Sequence, residues 1–235
     1  MTMPEGVHRR QFVNFSFFNL LPEWRRLPRT ERDDHRFEFA EAIRKWNAPD
    51  TMKVLSYSLL GTRPDADLML WGICYSITCL QEMASDLLRT RLAGYLKKPY
   101  SYLAMTRQSE YLIGDSERQQ RLQGVERPGT SRYLFVYPLV RTRTWYMLPY
   151  EDRQRMMAEV VRLADEFPGM RAHVVYSFGL DDQDFVIAVE SDDPGTYVER
   201  VMRLRETDAS PFVQRDTPTF TCVQMPLEEA LERLG

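Results

Sequence analysis

Residues Tyr133 to Asp184 read YLFVYPLVRTRTWYMLPYEDRQRMMAEVVRLADEFPGMRAHVVYSFGLDDQD. The segment opens on an aromatic and β-branched run ending in Tyr137-Pro138, the composition of a strand. Trp145-Tyr146-Met147-Leu148-Pro149 makes a hinge, and Pro149 with nearby acidic residues suits the first turn of a helix. Met156, Met157, Val160, Leu163, Ala164 and Phe167 give that helix a continuous apolar stripe. Pro168-Gly169 ends it, a second strand follows, and Gly179-Leu180-Asp181-Asp182 turns the chain, with Asp181 and Asp182 shaping the turn.

The same grammar occurs in the first half. Tyr57-Ser58, Gly61 and Asp65-Ala66-Asp67-Leu68 parallel Tyr176-Ser177, Gly179 and Asp182-Gln183-Asp184-Phe185, offset by about 119 positions, the signature of a duplicated unit. The first unit reads as strand 9–21, a helix N-capped by Thr30 with Asp33 as its acidic partner, strands 52–60 and 67–75, a helix opened by a Thr78/Gln81 capping box and stopped by Pro99, and strand 100–106. The second reads as strand 132–141, helix 150–166, strands 170–178 and 184–190, helix 194–205 and strand 217–224, with a tail helix at 226–234. Each order is β-α-β-β-α-β, the ferredoxin-like arrangement. The expected domains are a unit over 1–109, a polar linker over 110–131 and a second unit over 132–235. Each unit exposes one apolar sheet face, so the fold is α+β, two tandem units whose sheets pack or close on one another.

Composition narrows the function. Of 235 residues, 43% are hydrophobic and the net charge is −3, without the basic run that nucleic acid requires. No apolar run approaches about 18 residues and no leader precedes the first strand, which reads as a cytoplasmic, non-membrane protein. Cys74, Cys79 and Cys222 lack Cys-x-x-Cys spacing and read as small buried residues. Of three histidines, His8 lies in a tail, His35 in a polar helix, and His173 on a strand where one residue of register decides its face. No pair has zinc-site spacing, and no phosphate-binding loop or Ser/His/Asp order stands out.

The Tyr-Pro strand end, the Trp-Tyr-Met-Leu-Pro hinge and the Gly-Leu-Asp-Asp turn resemble the chlorite dismutase family, most closely its coproheme decarboxylase branch. Phe15-Ser16-Phe17-Phe18, Trp24-Arg25-Arg26-Leu27 and Pro99-Tyr100-Ser101-Tyr102 resemble its less specific first half. The resemblance implies a dimeric α/β-barrel-like fold built from the tandem units, haem or coprohaem as cofactor, and self-association, commonly as a homopentamer. A hetero-oligomer with a ligand-competent paralogue is the alternative assembly.

Residue by residue, the resemblance implies that Tyr137 carries radical chemistry at the reactive propionate. Arg141 stands where the family has a basic propionate-holding residue, and Trp145 is the hinge tryptophan. Val160 occupies the position of the axial histidine, and valine has no lone pair for iron. Ala172 occupies the distal position, where chlorite dismutases carry arginine, so chlorite chemistry is not expected. His173 is the alternative ligand, and no other metal site is expected.

Two functions lead, with a pocket reused for another porphyrin or an apolar ligand as a third. One is a binding or assembly protein with a degenerate haem pocket, in which the stripe around Val160 packs into the former ligand cavity and no cofactor is held. The other is a haem- or coprohaem-dependent oxidoreductase, peroxidase- or decarboxylase-like, using Tyr137 and Arg141. Arg141 and Arg143, two apart on an extended segment, either clamp a carboxylate or phosphate or stay solvated.

Overall fold

The computed structural model describes residues 10–112 and 128–235. The expected tail with His8 and most of the linker lie outside the described residues. The first half runs β1 (Phe12–Leu20), α1 (Arg29–Trp46), β2 (Met52–Ser58), β3 (Leu68–Cys74), α2 (Ile77–Leu88) and β4 (Leu96–Met105). The second runs β5 (Tyr133–Arg141), a short α3 (Arg143–Met147), α4 (Tyr150–Asp165), β6 (Arg171–Tyr176), β7 (Phe185–Ser191), α5 (Pro194–Arg205), β8 (Val213–Arg215), β9 (Phe220–Gln224) and α6 (Leu227–Glu232).

Both halves order their strands alike. The first is β4-β1-β3-β2 and the second β6-β7-β5-β9, with β8 added beside β5. They meet where Tyr57 and Ser58 pair with Gln224 and Val223, and where Met105 pairs with Tyr176. Since β5 also pairs along its length with β7, the ladder of eight strands returns on itself. The duplicated hairpins repeat even in backbone detail. Leu59 N donates to Asp67 O at 2.9 Å as Ser177 N does to Asp184 O at 2.8 Å; Asp67 N reaches Phe18 O as Asp184 N reaches Leu139 O.

Strand alternation distributes the core. Val13, Phe15 and Phe17 turn inward, with Tyr57, Trp71, Leu134, Val136, Val175 and Phe220 from both halves. The outward residues of the first half, among them Leu20, Val54, Leu68 and Leu70, are sealed by Phe39 and Ile43 of α1, Leu80, Met83 and Leu87 of α2, and Leu231 of α6. The second half is covered more sparsely. Its outer cluster reduces to Phe135, Ile187, Val189 and Tyr197, and α4 buries Leu163 alone. Since an unfilled apolar face is normally closed by packing, this is where the molecule leaves space.

Several local expectations shift. Pro28, not Thr30, caps α1, pre-set by its fixed φ. Ser76 caps α2 by accepting from Thr78 N at 3.2 Å, so Thr78 is already inside the helix. That helix ends at Leu88, which is exposed; Tyr95 lies in a separate 3-10 turn. Pro99 sits within β4, opposite the register shift between Phe17 and Asn19, where a missing N–H is tolerated. The expected last strand, 217–224, shortens to β9, and β8 is an added strand ahead of it. Cys74 and Cys222 are buried, and all three cysteines are free thiols.

Candidate functional site

On β5, Leu134 and Val136 enter the inner core while Phe135, Tyr137 and Leu139 join the outer cluster. Tyr137 and Arg141, four apart on one strand, therefore share the outer face. Pro138 is accommodated because β9 pairs only as far as Val136 and β8 begins at Val140, leaving its missing donor without a counterpart.

Above this face, α4 and α5 stand off the sheet and border an open cavity of about 1730 Å³, beyond the roughly 300–1,000 Å³ of ordinary ligand pockets. Tyr137, Arg141, Trp145, Val160 and Ala172 all line it, so the structure brings the five sequence-derived candidates to one wall system. The stripe around Val160 does not fill the space. Met157, Val160, Val161 and Ala164 face the cavity, while Leu163 is buried elsewhere.

Arg141 is held from several directions. Its backbone N donates to Asp184 Oδ2 at 2.8 Å and its Nη1 to Ala209 O at 2.7 Å. The guanidinium lies 4.5 Å over the Trp145 ring, with Nη2 3.7 Å from Met157 Sδ. Among the described residues no carboxylate lies within ion-pair distance of it, and burial pushes its pKa down. Arg143 opens α3, is exposed, and does not share the strand face with Arg141. Burial raises the Tyr137 phenol, against the opposing fields of Arg200 and Arg141. It is a neutral donor at physiological pH.

Three groups at this site carried no motif in the sequence. Asp184 Oδ2 also accepts from Tyr146 OH at 2.8 Å, tying the turn to the hinge; the repeat with Asp67 was the one available signal. Arg153 donates to Tyr111 OH at 3.0 Å and Tyr150 OH to Glu110 O at 2.6 Å, anchoring residues 110 and 111 at the cavity edge. Arg200 lines the cavity from α5.

The histidine alternatives resolve by register. Ala172 packs with the outer cluster and Val175 with the inner core. His173 is buried with the latter, its Nε2 3.1 Å from Glu190 Oε1 and its ring edge-on to Trp71 at 5.2 Å. Its ring turns toward the inner core and Glu190, while the residue also borders the cavity. Burial works against the charged Glu190 carboxylate, but bonds from His173, Thr130 and Gly129 hold it well below the usual range. His35 is buried too, accepting from Trp24 Nε1 at 3.3 Å.

The fit to a haem-like group is divided. Apolar walls from α4, β5 and β7, with cavity-facing arginines, suit a flat macrocycle bearing carboxylates. Position 160 offers iron no donor atom. Among the described residues no cluster of three or more His, Cys, Asp or Glu could hold a metal, and no helix is long and apolar enough to cross a membrane.

Comparison with known proteins places these features in context. The family model for chlorite dismutase matches residues 9–225. The coproheme decarboxylase of Mycolicibacterium smegmatis is 35% identical over 179 residues, 76% of this chain and 75% of that protein. Chlorite dismutase from Candidatus Nitrospira defluvii in complex with imidazole superposes with a TM-score of 0.86 at 25% identity, covering 95% of this chain and 94% of the other. A heme-binding protein from Thermus thermophilus superposes over 100% of this chain and 99% of its own, with a TM-score of 0.84 at 24% identity.

Proposed function

The chain belongs to the chlorite dismutase family, and from that premise we propose that it is a tetrapyrrole-binding protein that does not degrade chlorite. Its cavity takes a carboxylate-bearing porphyrin, haem or coprohaem included, without ligating the iron through α4. The observation that carries this reading is Val160 facing an open cavity where the family resemblance expects the iron ligand. Ala172, on the opposite wall, offers a methyl group in place of a cation for an anionic oxidant. The 35% identical coproheme decarboxylase of Mycolicibacterium smegmatis supports the ligand class. Self-association as a homo-oligomer belongs to the same proposal.

The test is a titration of purified protein with metal-free coproporphyrin and with its iron complex, followed by fluorescence quenching and Soret absorbance. Without an iron ligand the two bind within about tenfold of each other, because a macrocycle contact does not depend on the metal. Binding of the iron form more than 100-fold tighter, with a ligand-shifted Soret band, would reveal a donor and sink the reading. So would the absence of binding to either.

A second reading rests on Tyr137. Its phenol lines the cavity in the fields of Arg200 and Arg141, where a bound coprohaem would supply oxidising chemistry toward a propionate. Peroxide-dependent conversion of bound coprohaem, abolished in Tyr137→Phe with binding intact, would favour an oxidoreductase over a binding protein.

A further inference from the structure

Among the described residues, Arg200 is the cavity-facing cation whose burial brings no visible structural return. It is 7% exposed, and its Nη1 is buried without a hydrogen-bond partner. Among the described residues nothing pairs with its guanidinium. Asp216, which acts on the same neighbouring phenols, lies 3.9 Å from Arg205 instead. A buried guanidinium left unpaired is costly, and such groups in native proteins ordinarily have partners.

Its placement shows where the partner belongs. On α5, Arg200 follows Tyr197 by three residues and so lies on the same helix face. Tyr197 stacks on Phe135 of β5, ring centroids 3.7 Å apart at 6°. Phe135 and Tyr137 are alternate residues on one strand face. Arg200 is thereby carried over the Tyr137 end of the cavity, and its field opposes the upward push of burial on both phenols. It lines the same cavity as Arg141, whose guanidinium likewise has no carboxylate partner among the described residues.

We infer that Arg200 is the missing half of a two-arginine clamp, binding a carboxylate of the cavity's ligand beside Tyr137. The proposal rests on the porphyrin reading and sharpens it: the ligand is a polycarboxylate that presents an acid group on the α5 side of β5. The guanidinium fork suits that group, with the Tyr137 hydroxyl as a neighbouring donor. Arg200 is a binding residue here; nothing in the inference requires it to take part in a reaction.

The test compares wild type, Arg200→Met and Arg200→Lys for metal-free coproporphyrin affinity, and measures the Tm of each without ligand. An anchor predicts an affinity loss of about 10- to 100-fold in Arg200→Met, the worth of one charge-assisted bond, with partial recovery in Arg200→Lys. It also predicts an unchanged or raised Tm for ligand-free Arg200→Met, because an unpaired buried charge has been removed. Equal affinities, or a lowered ligand-free Tm, would make Arg200 a structural residue and overturn the inference while the porphyrin reading stands. If no variant binds porphyrin, the porphyrin reading fails, and the anchor is judged on citrate. A citrate-dependent rise in Tm confined to the wild type and Arg200→Lys sustains it, and equal shifts in all three overturn it.

Discussion

Asp67 and Asp184 hold equivalent places in the two halves of the chain. Asp67 Oδ2 accepts from Leu20 N at 2.8 Å at the end of β1, and Asp184 Oδ2 accepts from Arg141 N at 2.8 Å at the end of β5. Each carboxylate finishes the first strand of its unit. In the second half the same bond also fixes the backbone of Arg141, with Tyr146 OH as an additional donor.

Replacing either aspartate by alanine should therefore cost about 1.5–3 kcal/mol per charged bond lost, seen as a shift in denaturant midpoint. Only Asp184→Ala should also weaken porphyrin binding, because only it releases Arg141 and Tyr146. Equal effects of both variants on binding would show that the strand end does not position Arg141.

Val160→His is expected to create iron affinity. The side chain at 160 faces the cavity, and imidazole supplies the lone pair that valine lacks. The variant should favour iron coproporphyrin over the metal-free form by at least about 100-fold, with a red-shifted Soret band. An unchanged iron preference would mean that residue 160 is off the axis of the bound macrocycle.

Glu190 ties three elements together: it accepts from Gly129 N at 2.8 Å, from Thr130 N and Oγ1 at 2.9 Å, and contacts His173 Nε2 at 3.1 Å. Breaking one partner of a buried pair typically costs about 3–5 kcal/mol, and Glu190→Ala should lose that much in chemical denaturation at neutral pH.

The same group predicts an acid-sensitive stability. Its folded pKa is depressed, so its contribution is fully present above the unfolded value of about 4.3 and is lost as pH falls through the folded value. Thermal midpoints of the wild type should decline below about pH 4.3 more steeply than those of Glu190→Gln. Parallel curves would assign the acid lability to other carboxylates.

Gly61 and Gly129 separate backbone strain from crowding. Both have positive φ, +77° and +80°, but a Cβ at Gly61 meets nothing within 4 Å, while one at Gly129 meets Leu55 Cδ2 at 2.9 Å and Gln224 Nε2 at 2.8 Å. Gly61→Ala should cost about 1–2 kcal/mol, the strain alone, and Gly129→Ala clearly more. Equal losses of stability would show that the 129–131 turn relaxes freely.

Much of this was legible from the chain alone because it depends on local period. The Tyr57 and Tyr176 repeats announced the duplicated unit, and the two hairpins carry the same backbone bonds. The expected shared face of Arg141 and Arg143 was misplaced, because the chain leaves the strand and turns into α3 at Arg143. Cap positions were less legible: Pro28 stands at the N-cap of α1 without a side-chain bond, and Ser76 caps α2 in place of Thr78, since the cap is decided by where the preceding backbone enters the helix.

What the sequence determined by itself was the order of elements, the pairing of two like units and which residue types stand at the site. Only tertiary structure decided that His173 turns inward to Glu190, that the Val160 stripe borders a cavity without filling it, and that Arg200 Nη1 is buried with no hydrogen-bond partner among the described residues. The reason is physical. Periods of 2 and 3.6 are written into neighbouring residues, whereas the stand-off of α4 and α5 from the sheet, and the partners a buried charge lacks, come from contacts between residues far apart in sequence.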